Sequence, residues 1–340
     1  MHKGERRRHG EESSRILTSA YALKQMGSNI YFFLGESSFT GAVRYPRLDI
    51  AMASTSSQLP IGTPNNNKVD LCYETFGSPH DPAIILLAGG QSSMLFWAED
   101  FCQYLKENRR YVIRYDYRDT GRSVHYAPGA APYKLADFAD DVLQIMDECL
   151  VKKANLVGYS LGSGICQLLA LRNPDRVASL TLMSSGPVGA YPGEKDLPQM
   201  SSELLQKFIK LIPQNSGNRE EFINSSVEIA RLCAGSGYPI DEVESRALAS
   251  AVFDRAIDIR SSMNHGPLNS ERWQRERLGE ITAPTLVFHG TDDQVLPFVH
   301  GVALSKEIKK AKFIPLEGVG HDLPRGVWGI VLPALLEHTA

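Results

Sequence analysis

The sequence is poor in several things at once. Its five cysteines, Cys72, Cys102, Cys149, Cys166 and Cys233, are odd in number, scattered and without Cys-x-x-Cys spacing. That pattern argues against a disulfide framework or a zinc site, and it favours a reducing, cytoplasmic compartment. Excess positive charge is also missing. Lys and Arg number 36 against 39 Asp and Glu, for a net charge of -3, so nucleic acid is not an expected partner. No apolar run approaches the ~20 residues of a membrane-spanning helix. Internal repeats are lacking, which excludes a solenoid.

What is present is a chain of 340 residues, 43% hydrophobic and 22% charged. That suits one large α/β domain carrying an insertion. Residues 1–66 differ from the rest. They open with Arg6-Arg7-Arg8 and end in a polar stretch with Pro60, Pro64 and Asn65-Asn66-Asn67 beside it. Ile30 to Leu34 is too short for a signal-peptide core. An organelle-targeting role is opposed by Glu5, Glu11 and Glu12. The segment is expected to be a disordered extension, or upstream sequence ahead of a start at Met52.

From residue 67 onward the pattern is regular. Short apolar runs at Val69–Phe76, Ala83–Ala88, Tyr111–Asp116, Ala154–Tyr159, Val177–Met183, Pro284–Phe288 and Lys312–Leu316 read as strands. Several are continuous rather than alternating, as strands buried on both faces are. Helical stripes stand between them. One is Leu135, Phe138, Val142, Ile145 and Met146; another is Leu161, Ile165, Leu168 and Leu169. Strand and helix in alternation predict an α/β fold, a mostly parallel sheet with helices on both faces. Between about 187 and 278 no strand is readable. Stripes at Leu204, Leu205, Phe208 and Leu211, at Phe222, Ile229 and Cys233, and at Val243, Ala247 and Ala251 predict a helical cap inserted into the domain 67–340.

Chemistry gathers at the carboxyl ends of the strands in such a sheet. Gly158-Tyr159-Ser160-Leu161-Gly162 has the Gly-x-Ser-x-Gly form of a nucleophile elbow. Alone it is weak, since chance supplies about 0.2 such matches in a chain of this composition. Its context strengthens it, with a strand before and a helix after. Gly290-Thr291-Asp292-Asp293 and Gly318-Val319-Gly320-His321 then follow two later strands. The order Ser, Asp, His is the one this architecture uses. Ser160 is the expected nucleophile and His321 the general base. Asp293 orients the imidazole, with Asp292 beside it as the alternative. The N–H groups of Gly90 and Leu161 are the expected oxyanion donors. Gly162 and Gly164 are expected to let the helix approach the sheet. Met94, Phe96, Trp97 and Trp273 are candidates for an apolar pocket wall, with core packing equally open to each. Arg114, Asp116, Arg118, Asp119 and Arg122 crowd one loop, where pairing that fixes the loop is favoured over substrate binding.

These residues make the chain resemble the α/β-hydrolase superfamily, and more narrowly the aclacinomycin methylesterase group. The resemblance is carried by Leu87 to Ser92, by Val112 to Ser123 with its Arg-Tyr-Asp-x-Arg-Asp-Thr-Gly-Arg-Ser run, by the elbow, and by Gly320-His321-Asp322-Leu323-Pro324. It covers about Val69 to the end. It implies a serine hydrolase without cofactor or metal, with nucleophile, acid, base and oxyanion donors at the positions already named. Gln91 stands where Asn is commoner, and Leu161 where Met is commoner. The expected activity is cleavage of a carboxylic ester, a methyl ester among the candidates, of a small to medium apolar molecule through an acyl-enzyme on Ser160. The expected partner is that small-molecule ester, and the sequence sets no oligomeric state. Two other readings use the same fold: a cofactor-free haloperoxidase or perhydrolase, and a non-catalytic ligand receptor.

Overall fold

The computed structural model describes residues 68–189, 196–211, 217–266 and 275–340. The extension 1–66 and Trp273 lie outside them.

The strands are β1 (Tyr73–Phe76), β2 (Ala83–Leu87), β3 (Tyr111–Tyr115), β4 (Ala154–Tyr159), β5 (Val177–Met183), β6 (Thr285–Gly290) and β7 (Lys312–Leu316). They form one seven-stranded sheet in the order β1-β3-β2-β4-β5-β6-β7. Only β1 runs antiparallel, against β3; the other pairings are parallel. Every residue of β2, β3, β4 and β6 is buried. Successive side chains of a strand point to opposite faces, so both faces of the sheet are covered.

The covering helices are α1 (Glu99–Glu107), α2 (Leu135–Glu148), α3 (Leu161–Arg172), α7 (Val299–Glu307) and α8 (Trp328–His338). Helix α3 packs on β4, β5 and β2, and α2 packs on α3. Helices α1 and α8 meet through the Phe101 and Trp328 rings, 5.2 Å apart. The expected start of the first strand at Val69 is too early. Both backbone polar groups of Val69 are taken by the Gln144 amide of α2, at 3.1 and 2.7 Å, so they are not available to a sheet ladder.

Between β5 and β6 the described residues contain no strand. They form α4 (Ser202–Leu211), α5 (Arg219–Cys233), α6 (Glu242–Arg255) and the 3-10 turns Ile259–His265 and Arg275–Glu280. Helix α6 is rotated from the expected stripe. Val243 is 81% exposed, and Ala247 and Ala251 also face solvent. The buried side is Ala249, with Val252 and Phe253 against Phe222 and Ile223 of α5. The physical reason is size: Phe253 and Val252 bury more apolar area than two alanines.

Candidate active site

The sharp turn between β4 and α3 fixes Ser160. Its φ is 50° and its ψ -114°, a conformation that costs an L-residue of order 1–3 kcal/mol. The surroundings hold it there. Ser160 N–H donates to Met183 O at 2.9 Å. Ser163 Oγ donates to Gly158 O at 2.7 Å and accepts from Met183 N–H at 3.0 Å. A Cβ on Gly158 would lie 2.5 Å from the Gly162 carbonyl, and one on Gly162 would lie 2.4 Å from Leu87 O. Both elbow glycines are therefore demanded by backbone approach. Gly164 is not: nothing lies within 4 Å of a Cβ there. The expectation that it aids close packing is corrected, because a side chain there would meet open space.

His321 Nε2 stands 3.1 Å from Ser160 Oγ, and His321 Nδ1 stands 2.8 Å from Asp293 Oδ2. With Nδ1–H donating to the carboxylate, Nε2 is left to accept from the serine hydroxyl. Asp293 Oδ1 accepts from Val295 and Leu296 N–H at 2.9 and 2.8 Å. Burial would raise the Asp293 carboxyl; the His321 imidazole and hydrogen bonds from His289 and His321 outweigh it and hold the group well below the usual carboxylate range. Asp292 points elsewhere. Its Oδ2 accepts from Ser236 N–H at 2.9 Å and from the Ser236 hydroxyl. Asp322, next to His321, is pushed up to about 6 by burial.

The turn after β2 faces the elbow. Gly89 O accepts from Ser92 N–H at 3.3 Å, and Gln91 sits at φ 63°. That region suits Gly or Asn in the third position of a turn. A Cβ on Gly90 would make only ordinary contact, 3.6 Å, with Leu161. Leu161 opens α3, so its N–H is one of the donors that a helix start leaves unpaired. Gly90 and Leu161 thus flank the serine from two sides. Among the described residues no group of three or more His, Cys, Asp or Glu converges in a way that could hold a metal ion.

This geometry sits on a matched family. Residues 82–324 match the model for the alpha/beta hydrolase fold. The chain belongs to that family.

Within it, the chain is 33% identical over 299 residues to rhodomycin D methylesterase DauP of Streptomyces sp. (strain C5), covering 83% of this chain and 98% of that one. It is 28% identical over 266 residues to the bifunctional esterase/perhydrolase DCH of Acinetobacter calcoaceticus, covering 75% and 91%. The solved esterase RhEst1 from Rhodococcus sp. ECU1013 superposes with a TM-score of 0.63 at 20% identity, covering 80% of this chain and 96% of that one; at that identity it speaks for the fold alone. Among the described residues no helix of this hydrolase-fold chain is long and apolar enough to cross a membrane.

Other parts of the sequence reading divide. Met94 and Trp97 are corrected as pocket walls. They are 0% and 1% exposed, so no surface is left to touch a ligand. Trp97 packs on Phe96 and Phe101, with ring centroids at 5.1 and 5.4 Å. Phe96 is the half-buried ring of that segment, 4.6 Å from Tyr159, whose own ring lies 5.4 Å from His321. The charged residues around this loop are tied mainly to groups outside it. Arg118 forms a two-pronged bond to Asp141 at 2.7 and 2.5 Å. Arg114 holds Glu74 and the Trp97 carbonyl. Asp116 takes Met94 N–H, Arg122 N–H and Arg255. Asp119 takes Tyr126 N–H, Tyr133 and Asn264.

Sequence reasoning missed three features. His289 Nε2 donates to Leu296 O at 2.8 Å and lies 3.4 Å from Asp293 Oδ2; a histidine at the end of β6 was the available signal. The helical insertion is stitched to the His321 loop: His321 N–H donates to Cys233 O at 2.7 Å and Gly237 N–H to Gly318 O at 2.9 Å. A Cβ on Gly320 would lie 2.0 Å from Cys233 O, and one on Gly235 2.2 Å from Gly318 O, so small residues on both sides permit the contact. The third feature is His265 of the insertion, which accepts from Gln91 N–H at 2.9 Å through Nδ1. Nothing in local sequence marks it.

Proposed function

We propose that the chain is a serine hydrolase of carboxylic esters. The observation that carries this reading is the continuous hydrogen-bonded path from Ser160 Oγ through His321 to Asp293, at 3.1 and 2.8 Å. Ser160 Oγ attacks the acyl carbon while His321 Nε2 takes the hydroxyl proton. Asp293 stabilises the resulting imidazolium and keeps the ring oriented. The N–H groups of Gly90 and Leu161 hold the oxyanion, each worth roughly 3 kcal/mol in the transition state. His321 returns the proton to the leaving alcohol, and the acyl group stays on Ser160. Water then attacks the acyl carbon as His321 takes its proton, and His321 passes that proton to Ser160 Oγ as the bond to the acyl carbon breaks and the acid leaves. The sequence of steps needs no cofactor.

The likeness to a methylesterase favours a methyl ester of a small to medium apolar molecule. Residues 187–278 are assigned as a cap that shapes the pocket, supported by the contacts of Cys233 and His265 with the two loops of the site. Five unpaired thiols favour a reducing compartment, here the cytoplasm. A second reading has hydrogen peroxide in place of water at the last step, giving a peracid; the likeness to an esterase/perhydrolase favours it as a side activity.

Ser160→Ala, compared with wild type on nitrophenyl acetate and on a panel of aromatic methyl esters, tests the reading. The variant is expected to fold normally and lose turnover, with methyl esters preferred over longer alkyl esters by wild type. Undiminished turnover by the variant would overturn the mechanism. Peracid formed faster than ester is cleaved would favour the second reading, and tight binding without turnover a receptor.

A further inference from the structure

We infer that His265, carried by the helical insertion, is a positioning residue for the oxyanion-binding turn. The inference rests on the serine-hydrolase reading above and deepens it. The insertion then does more than shape a pocket: it completes the machinery that stabilises the transition state.

His265 is completely buried, 0% exposed, at the end of the 3-10 turn Ile259–His265. Its ring spans two backbone groups from different parts of the domain. Nε2 lies 2.7 Å from Arg118 O, and Nδ1 lies 2.9 Å from Gln91 N. A carbonyl can only accept and an N–H can only donate, so the tautomer is fixed with the proton on Nε2. Tyr117 and Phe138 meet the ring with centroids at 5.9 and 5.3 Å and near-perpendicular planes. Those contacts leave little freedom to rotate. Burial pushes the imidazolium down to about 4, so Nδ1 remains an acceptor at neutral pH.

The N–H it receives belongs to the residue after Gly90. Gln91 is held at φ 63°, in the left-handed region that disfavours a long side chain. The turn's own bond, Ser92 N–H to Gly89 O, is long at 3.3 Å. Local bonding is therefore a weak restraint on a strained turn, and His265 supplies the stronger one from outside. The bond to His265 anchors the Gly90–Gln91 peptide on the carboxyl side of Gly90. The Gly89–Gly90 peptide that carries the Gly90 N–H is tied through Gly89 O to Ser92 N–H, so the two restraints together limit the direction of that N–H. From the other side Tyr117 Oη donates to Ala88 O at 2.8 Å, and Tyr117 is also one of the rings packed on His265. Arg118, Tyr117, His265 and the turn thus form one connected support. An oxyanion donor must sit within a few tenths of an ångström of its place, because it acts on charge that exists only in the transition state.

The test compares wild type with His265→Phe, which keeps an aromatic ring and removes both polar atoms, and with His265→Gln, whose amide can accept from Gln91 and donate to Arg118. Rates are taken on a nitrophenyl ester whose acylation limits turnover. For His265→Phe, kcat and kcat/KM are expected to fall together by about 10–100-fold with KM within about three-fold, the signature of a lost transition-state contact. His265→Gln is expected to recover most of the lost rate. Should the Phe variant not fold, His265→Asn is read in its place; its shorter amide spans one partner but not both, so its kcat is expected to fall below that of His265→Gln, and a kcat at or above the Gln value would overturn the inference. A folded Phe or Asn variant with unchanged kcat, or one that raises KM alone, would overturn the inference. Labelling of wild-type Ser160 by a fluorophosphonate separates the two levels. If wild type labels and turns over while the His265 variants match it, only this inference fails; if wild type neither labels nor turns over, the hydrolase reading fails first.

Discussion

Two glycines two residues apart in α3 predict opposite outcomes for one chemical change. At Gly162 an added methyl would stand 2.4 Å from Leu87 O and 2.6 Å from Ala88 O. Ordinary contact begins at 3.4 Å, so the helix start must retreat from β2 by about 1 Å, the difference between the two distances. Both obstructing oxygens are backbone, which cannot rotate away. The bond from Gly162 N–H to Ala88 O, 3.1 Å, would stretch with the retreat. Forcing a methyl into such a space costs typically about 1–3 kcal/mol. The same movement carries Ser160 and the Leu161 N–H away from His321 and Gly90, and a misplacement of about 1 Å costs roughly 100-fold in rate. At Gly164 a Cβ meets nothing within 4 Å. The residue lies inside α3, where Ala is better than Gly by about 0.5–1 kcal/mol. Gly164→Ala should therefore raise the urea midpoint slightly and leave ester turnover unchanged, while Gly162→Ala should lower both. Urea unfolding and nitrophenyl ester hydrolysis on the two purified variants decide it. Equal effects at the two sites, or a stable and active Gly162→Ala, would refute the close-approach argument.

The same site geometry has other consequences. Asp293→Asn removes the charge behind His321 and allows the wrong tautomer, so kcat should fall by about 10⁴-fold; Asp292→Asn, whose partner is Ser236, should stay within about three-fold. Steady-state kinetics at pH 8 on both variants checks the assignment, and the reverse ranking would show that Asp292 orients the histidine. Leu161→Met should keep kcat within about two-fold, since the mechanism asks only for its backbone N–H; a large loss would mean that the side chain bears on the acyl group. Acid stability has a defined sign at His265. Its folded-state value is lowered to about 4, below an unfolded value of about 6.5. The unfolded chain therefore binds the proton first as pH falls, and stability is lost between about pH 6.5 and 4, by up to roughly 3 kcal/mol for a completely buried ring. Urea unfolding at pH 7 and pH 4.5 should show a smaller acid loss for His265→Gln than for wild type, and equal losses would contradict the burial argument.

What the sequence made legible is what repeats or what punctuates. β2 is a continuous apolar run leading through Ala88 into Gly89-Gly90, and β4 is a largely apolar run broken only by Asn155 that leads into the elbow; such runs have few other places to go than the centre of a parallel sheet. The elbow was legible because a tight turn admits only small neighbours, and the structure puts Gly158 and Gly162 in contact with backbone. His321 and Asp293 follow strand ends and lie within hydrogen-bond distance of their expected neighbours. The choice between Asp292 and Asp293 was not legible, because adjacent residues past a strand point in different directions and only packing selects one. Met94 and Trp97 were misplaced for a related reason: a hydrophobe near a strand end can face a pocket or the core with the same local pattern. Helix α6 was rotated from its expected stripe by Phe253 and Val252, which outweigh its alanines once α5 is beside it. His265 and the Cys233 carbonyl left no trace, since each acts on a backbone group more than eighty residues away in sequence.

The central claim is that Ser160 is a nucleophile activated by His321 and Asp293. The most direct measurement is the intact mass and peptide map of wild type, Ser160→Ala and His321→Ala after incubation with a fluorophosphonate probe. The account predicts one adduct per wild-type chain, mapped to Ser160, no adduct on Ser160→Ala, and labelling of His321→Ala slowed by about 10³-fold or more. An adduct on another residue in wild type, or equal labelling of all three proteins, would contradict it.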